Sequence, residues 1–224
     1  MISRPLTDHL CALIDWQREC NPLFRLAEQG ALERAQLGEY LYNTAYIALC
    51  TQTHVELGQF KAEAANQPEL VEFFVDKRRE EAGHAQWAFQ DLVRLQLQCG
   101  AGKRFRVREP LIQLLAQVQR ELDRNPASYL VYSLFAECLN ARLGPALVRA
   151  LTAQGSFCAE ELSMLAKHAE LDPGHVAEDC RFIDLVSERA ALRLDESCRF
   201  LDELVGHFTR FTQEIAQEQI DAAA

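Results

Sequence analysis

Turn-forming residues are scarce in this chain: 10 glycines and 7 prolines in 224 residues, about 8% where an average protein has about 12%. A sandwich or barrel needs a turn roughly every 8–12 residues, and this chain cannot supply them. Apolar residues recur instead at three- and four-residue intervals, the spacing of helices that bury one face. Thr7 can cap a first helix that runs to Cys20, and Asn21-Pro22 restarts the chain. A long helix is predicted over 30–65, with Leu37, Tyr40, Leu41, Ala45, Ile47 and Ala48 on its apolar side. Asn66-Gln67-Pro68 breaks it, since proline ends one helix and suits the first turn of the next. The pattern then predicts a helix over 68–97, a loop at Cys99-Gly100-Ala101-Gly102, and a helix over 110–124. Asn125-Pro126 opens another to about Ala150, Ser156 caps one through Ala169, and the remainder reads as a long helix to about Gln219. The expectation is one all-α domain over residues 1–224, with seven or eight helices.

Composition narrows the function classes. Apolar residues make up 49% of the chain, enough to build a core without disulfides or metals as staples. The net charge is −10 and there is no basic stripe, so nucleic acid is not an expected partner. Apolar runs fall far short of the roughly 18 residues of a membrane span. Asp8, His9 and Asp15 interrupt the stretch where a signal peptide would carry its apolar core. The expectation is a soluble, cytoplasmic protein. Its eight cysteines stand at 11, 20, 50, 99, 138, 158, 180 and 198. None is close enough to another for a CxxC motif, so they read as reduced core thiols.

Candidate chemistry lies with carboxylates and histidines at helical spacing. Glu81 and His84 are three residues apart and share a face on a continuous helix, where a carboxylate and an imidazole can converge on one ion. In His168-Ala-Glu-Leu-Asp172-Pro-Gly-His175 the i, i+4 and i+7 positions fall on one face, and two imidazoles with a carboxylate suit a first-row metal. Pro173 should kink or restart that helix, which leaves Asp172 open to a second reading as a helix cap. Glu137 stands in an apolar stretch with no lysine or arginine one turn away, and a buried carboxylate needs a partner or a metal. Glu56 also lacks a basic neighbour one turn away, though Lys61 is five residues on. Two Fe(II) ions would balance four carboxylates, and an oxygen-and-nitrogen donor set suits iron better than thiolate-seeking zinc.

These residues resemble the pattern of the heme-oxygenase-like diiron oxidases and oxygenases. His84 precedes Glu137 by 53 residues, Glu137 precedes His168 by 31, and His168-x3-Asp172-x2-His175 closes the pattern. The resemblance spans about residues 35–200. It implies a seven-helix fold that binds no heme, and two iron ions reacting with O2. The implied ligands are Glu56, Glu81, His84, Glu137, His168, Asp172 and His175, with Glu39 and Glu63 as substitutes for Glu56. A ferritin-like site would want a second Glu-x-x-His, but Leu165 precedes His168 by three and Asp172 precedes His175. Asp91, seven residues past His84, is either a partner that orients an imidazole or a solvated charge.

The leading expectation is therefore an O2-dependent non-heme diiron oxidoreductase. Its substrate would be a small organic molecule, derived from an amino acid or fatty acid, in a biosynthetic tailoring step. An external electron donor and a homodimer both remain open. One alternative is a metal-free hydrolase of the thiaminase type with Cys138 as nucleophile. Another is a non-catalytic helical interaction protein.

Overall fold

The computed structural model describes residues 1–99, 104–153 and 155–217. Beyond Cys99, the expected loop lies outside the described residues, as does the expected helix end at Gln219. The described residues contain no strand, and no helix among them is long and apolar enough to cross a membrane. In chain order the helices are α1 (Ser3–Cys20), α2 (Pro22–Glu28), α3 (Arg34–Ala64), α4 (Pro68–Glu80) and α5 (His84–Cys99). They continue with α6 (Glu109–Arg124), α7 (Ser128–Ala153), α8 (Ser163–Val186) and α9 (Leu194–Gln217). A 3-10 turn at Ala159–Glu161 leads into α8.

Four boundaries differ from the sequence reading, each for a local reason. α1 begins ahead of Thr7 because Asp184, remote in sequence, accepts from the backbone N–H of Ile2 and Ser3 at 2.8 and 2.9 Å. This cap comes from another helix, so no local signal announces it. The helix expected over 68–97 is two helices: Gly83 takes φ +92 and turns the chain between α4 and α5. Ser156 caps nothing, and α8 begins at Ser163. The continuous helix expected to Gln219 is broken between Val186 and Leu194, where Ala191 has φ 51.

Pro173 does not interrupt α8, which runs through it. The lost backbone bond is offset by packing against α7, where Gly144 lets α8 approach closely. A Cβ at Gly144 would stand 3.2 Å from the Ala169 Cβ. α7 is the central helix; nearly every side chain from Ser128 to Leu139 is buried, and α1, α2, α6, α8 and α9 pack around it. Phe73 and Phe74 of α4, Tyr129 of α7 and Phe182 of α8 join these layers. Their ring centroids stand 5.2 Å (Phe73–Phe74), 5.4 Å (Phe73–Phe182) and 5.6 Å (Phe74–Tyr129) apart. Phe74 fits because position 58 of α3 is glycine: a Cβ there would lie 2.3 Å from the ring.

The segment before α6 is held by a buried ion pair. Arg108 Nε donates to Glu39 Oε1 at 2.8 Å, its backbone N–H donates to Asn43 Oδ1 at 2.9 Å, and Asn43 Nδ2 donates to the Arg106 carbonyl. Glu39 is 1% exposed. Arg108→Ala is expected to lower unfolding free energy by about 3 kcal/mol or more, because it leaves an uncompensated buried carboxylate. Urea denaturation of the two proteins checks this, and a difference below about 1 kcal/mol would contradict it.

Candidate metal centre

Four helices converge beside the middle of α7, and the local sequence explains how each is aimed. α7 supplies Glu137 and α8 supplies His168, Asp172 and His175 from one face. Glu81 caps the end of α4, and His84 opens α5 immediately after the Gly83 turn. Glu81 and His84 therefore approach each other across a helix break, not along one helix. Glu81 Oε2 lies 2.9 Å from His84 Nδ1, yet that nitrogen makes no hydrogen bond. Trp87 stacks on the His84 ring at 4.3 Å, and the His168 ring meets it edge-on at 4.8 Å. His168 Nδ1 donates to the Met164 carbonyl at 2.9 Å, which leaves the lone pair on Nε2. Burial pushes the His168 pKa down, which favours the neutral ring a metal ligand needs.

Asp91 neither orients an imidazole nor meets solvent. It is fully buried and accepts from Met164 N–H at 2.7 Å and from Ser163 Oγ, with Arg94 at 3.0 Å. It thus caps the start of α8 from α5 and fixes the helices of His84 and His168 against each other.

Among the described residues, one trio brings its donor atoms within 4.8 Å of one another: Glu137, Asp172 and His175. His175 Nδ1 lies 3.3 Å from Glu137 Oε2 and 3.5 Å from Asp172 Oδ1. Ligands about 2.1 Å from one ion stand roughly 3.0–3.4 Å from their neighbours, so the spacing fits a shared first-row ion. Asp172 adds a second indication: it is fully buried and neither carboxylate oxygen makes a hydrogen bond. Burial pushes its carboxyl up to about 7. The close carboxylates of Asp172 and then Glu137 raise His175 to about 10. For Glu137, burial is outweighed by His175 and Lys77, which hold its carboxyl low.

Two further buried groups lie here, Lys77 and Asp179, in stretches that carry no motif. Lys77 of α4 is 4% exposed and donates to Glu137 Oε1 at 2.7 Å, with Glu80 Oε2 at 3.4 Å. Asp179 of α8 is fully buried, its oxygens make no hydrogen bond, and Lys77 and Ser133 are polar groups facing it. The available signal was spacing: Lys77 lies one turn before Glu81, and Asp179 one turn after His175.

Glu56 is not brought to the centre. α3 turns Thr44, Ile47, Ala48 and Thr51 towards it, and Glu56 is exposed. At about 100° per residue, Glu56 lies about 140° round the helix from Thr51. Of its substitutes, Glu39 is paired with Arg108, and Glu63 is exposed and accepts from Gln59. α3 thus contributes no carboxylate from these three positions. Between α3 and the centre is a cavity of about 70 Å³, walled by Ile47, Ala48, Ala136 and Met164 and by the rings of Tyr129, Tyr132 and His168. Polar groups that include Lys77, Glu81 and Glu137 also line it. Liquid water occupies about 30 Å³ per molecule, so this space admits something the size of dioxygen or a small substrate fragment. Burial pushes the phenols of Tyr129 and Tyr132 up, so they stay protonated.

No family model matches the chain, and no curated protein matches it. Solved structures do. A domain of unknown function with a heme oxygenase-like fold from Shewanella denitrificans OS217 superposes with a TM-score of 0.76 at 16% identity, covering 95% of this chain and 90% of that one. A CADD-like protein of unknown function from Nostoc punctiforme PCC 73102 superposes with a TM-score of 0.63 at 19% identity, covering 96% and 99%. The chain has a heme-oxygenase-like fold, with a candidate carboxylate–histidine metal centre at its middle.

Proposed function

We propose that this protein is an iron-dependent oxidoreductase that uses O2 on a small organic substrate. The observation that carries the reading is Asp172: a fully buried carboxylate with no hydrogen bond, converging with Glu137 and His175 at ligand spacing. Burial raises its pKa, and a bound cation would keep it ionised without that cost. Carboxylate and imidazole donors without thiolate favour iron over zinc. Iron held there supplies the electron transfer to O2 that amino-acid side chains lack.

The chain's own residues do the rest. Glu137, Asp172 and His175 hold the ion, and His168 presents the Nε2 lone pair at the cavity wall. Tyr129 and Tyr132 keep their protons, and the cavity beside them sets the size of what can approach the centre. In the competing thiol reading, Cys138 would need a lowered pKa. It is instead buried, and that burial pushes its thiol up, with Asp179 adding to the effect.

Anaerobic loading with Fe(II), followed by metal analysis and O2-electrode measurement, tests the proposal. The expected result is stoichiometric iron and iron-dependent O2 uptake, both unchanged in Cys138→Ala. Protein that retains no iron, or consumes no O2 when loaded, would refute it.

A further inference from the structure

We infer that this centre takes one divalent ion per chain, and that the Lys77 ammonium stands where a second ion would share Glu137. This inference rests on the iron reading above and concerns the number of ions the site accepts.

A carboxylate that bridges two ions uses one oxygen for each. In Glu137 the two oxygens are already divided. Oε2 faces His175 and belongs to the trio, whereas Oε1 accepts from Lys77 Nζ at 2.7 Å. The ammonium has no lone pair, so it cannot be a ligand, and its charge repels a cation placed on its side of Glu137. Nor is it a stray surface group. Lys77 is 4% exposed, is contacted by Glu80 at 3.4 Å, and faces Asp179 and Glu81. Removing it to solvent would strip Glu80, Glu81 and Glu137 of their counter-charge.

The other half of the cluster is poorly provided for a second ion. It holds Glu81, His84 and His168, whose donor atoms do not converge as the trio's do. Glu81, its carboxylate, already faces the Lys77 charge. The α3 wall opposite offers Thr44, Ile47, Ala48 and Thr51 and no acid. With Glu137 shared with an ammonium and α3 silent, a second dication would find one carboxylate and two imidazoles beside a fixed positive charge. Lys77 thus limits the site to one ion, its single positive charge standing in for part of what a second dication would bring.

The test counts ions. Wild-type protein and Lys77→Glu are loaded anaerobically with Fe(II), and in parallel with Mn(II), then desalted and analysed for metal. Wild type is expected to hold one ion per chain, and its Mn(II) EPR spectrum should be that of an isolated ion. Lys77→Glu exchanges the ammonium for a carboxylate and is expected to hold two, with a spin-coupled Mn(II) spectrum. Two ions per wild-type chain would overturn the inference while leaving the iron reading intact. A folded Lys77→Glu variant that stays at one ion would overturn the role given to Lys77. No ion at all in wild type would instead defeat the iron reading. Where Lys77→Glu does not fold, the wild-type count and the wild-type EPR spectrum decide.

Discussion

Asp172→Ala is expected to weaken iron binding by about 100-fold or more and to abolish iron-dependent O2 uptake, with the far-UV helical signal unchanged. Residues that merely support a metal ligand typically cost 10–100-fold in affinity when replaced. Loss of one of three converging donors should cost at least the upper end of that range. The helix should survive the change, because alanine is a better helix former than aspartate. Asp172 also makes no hydrogen bond whose loss would orphan a partner. His207→Ala serves as the control: that ring is paired with Arg210 on α9, away from the centre. Titration with Fe(II) followed by O2 measurement reads both variants. Wild-type iron affinity in Asp172→Ala would show that the trio is not the metal site.

The second large effect concerns Asp179 and pH. Burial pushes its carboxyl up to about 8, with the Lys77 charge only partly opposing it. The folded chain therefore keeps this proton up to about pH 8, whereas an unfolded aspartate loses it near pH ~3.9. Between those values the folded state binds more protons than the unfolded state, so stability falls as pH rises. At about 1.4 kcal/mol per pKa unit, the decline attributable to Asp179 reaches several kcal/mol by about pH 8.5. Asn cannot ionise, so Asp179→Asn should exceed wild type by roughly 1.5 kcal/mol near pH 5 and by an increasing margin towards pH 8.5. Urea melts of metal-free protein at both pH values check the result. Parallel pH curves for the two proteins would show that Asp179 ionises in the folded state as it does in the unfolded one.

Both predictions turn on groups of unequal visibility in the sequence. The spacing His168-x3-Asp172-x2-His175 placed three side chains on one helical face before any tertiary contact was known, and Glu137 was conspicuous as an acid in an apolar run. Lys77 and Asp179 were hidden, because a lysine in Asp76-Lys77-Arg78-Arg79 and an aspartate in Glu178-Asp179 look like ordinary solvated charges. Only the packing of α4 and α8 against α7 turns them inward. Glu56 shows the converse. It lacks a basic neighbour one turn away, as Glu137 does, but a shift of five residues along α3 carries it to the outer side of the helix.

The Glu81–His84 pair teaches a related lesson. Its three-residue spacing suits one turn of continuous helix. The two groups do meet, but Gly83 has ended α4 and His84 begins α5. Positive φ is cheap for glycine, yet one glycine inside a helical pattern does not reveal whether the helix tolerates it or stops there. That choice depends on what packs on either side.

By itself the sequence determined the class of fold and the inventory of donors. Helical periodicity and scarce turn residues are local properties, set by which side chains can share a buried stripe, and they survive without knowledge of the partner surface. Tertiary structure alone decided where α1 is capped, since Asp184 lies 181 residues from the Ser3 N–H it accepts. It alone decided that Pro173 stays within α8, because close packing over Gly144 compensates for a lost backbone bond. And it alone decided that a lysine joins the carboxylates, because the phase of one helix relative to another is fixed by core packing and not by the residues of either helix taken separately.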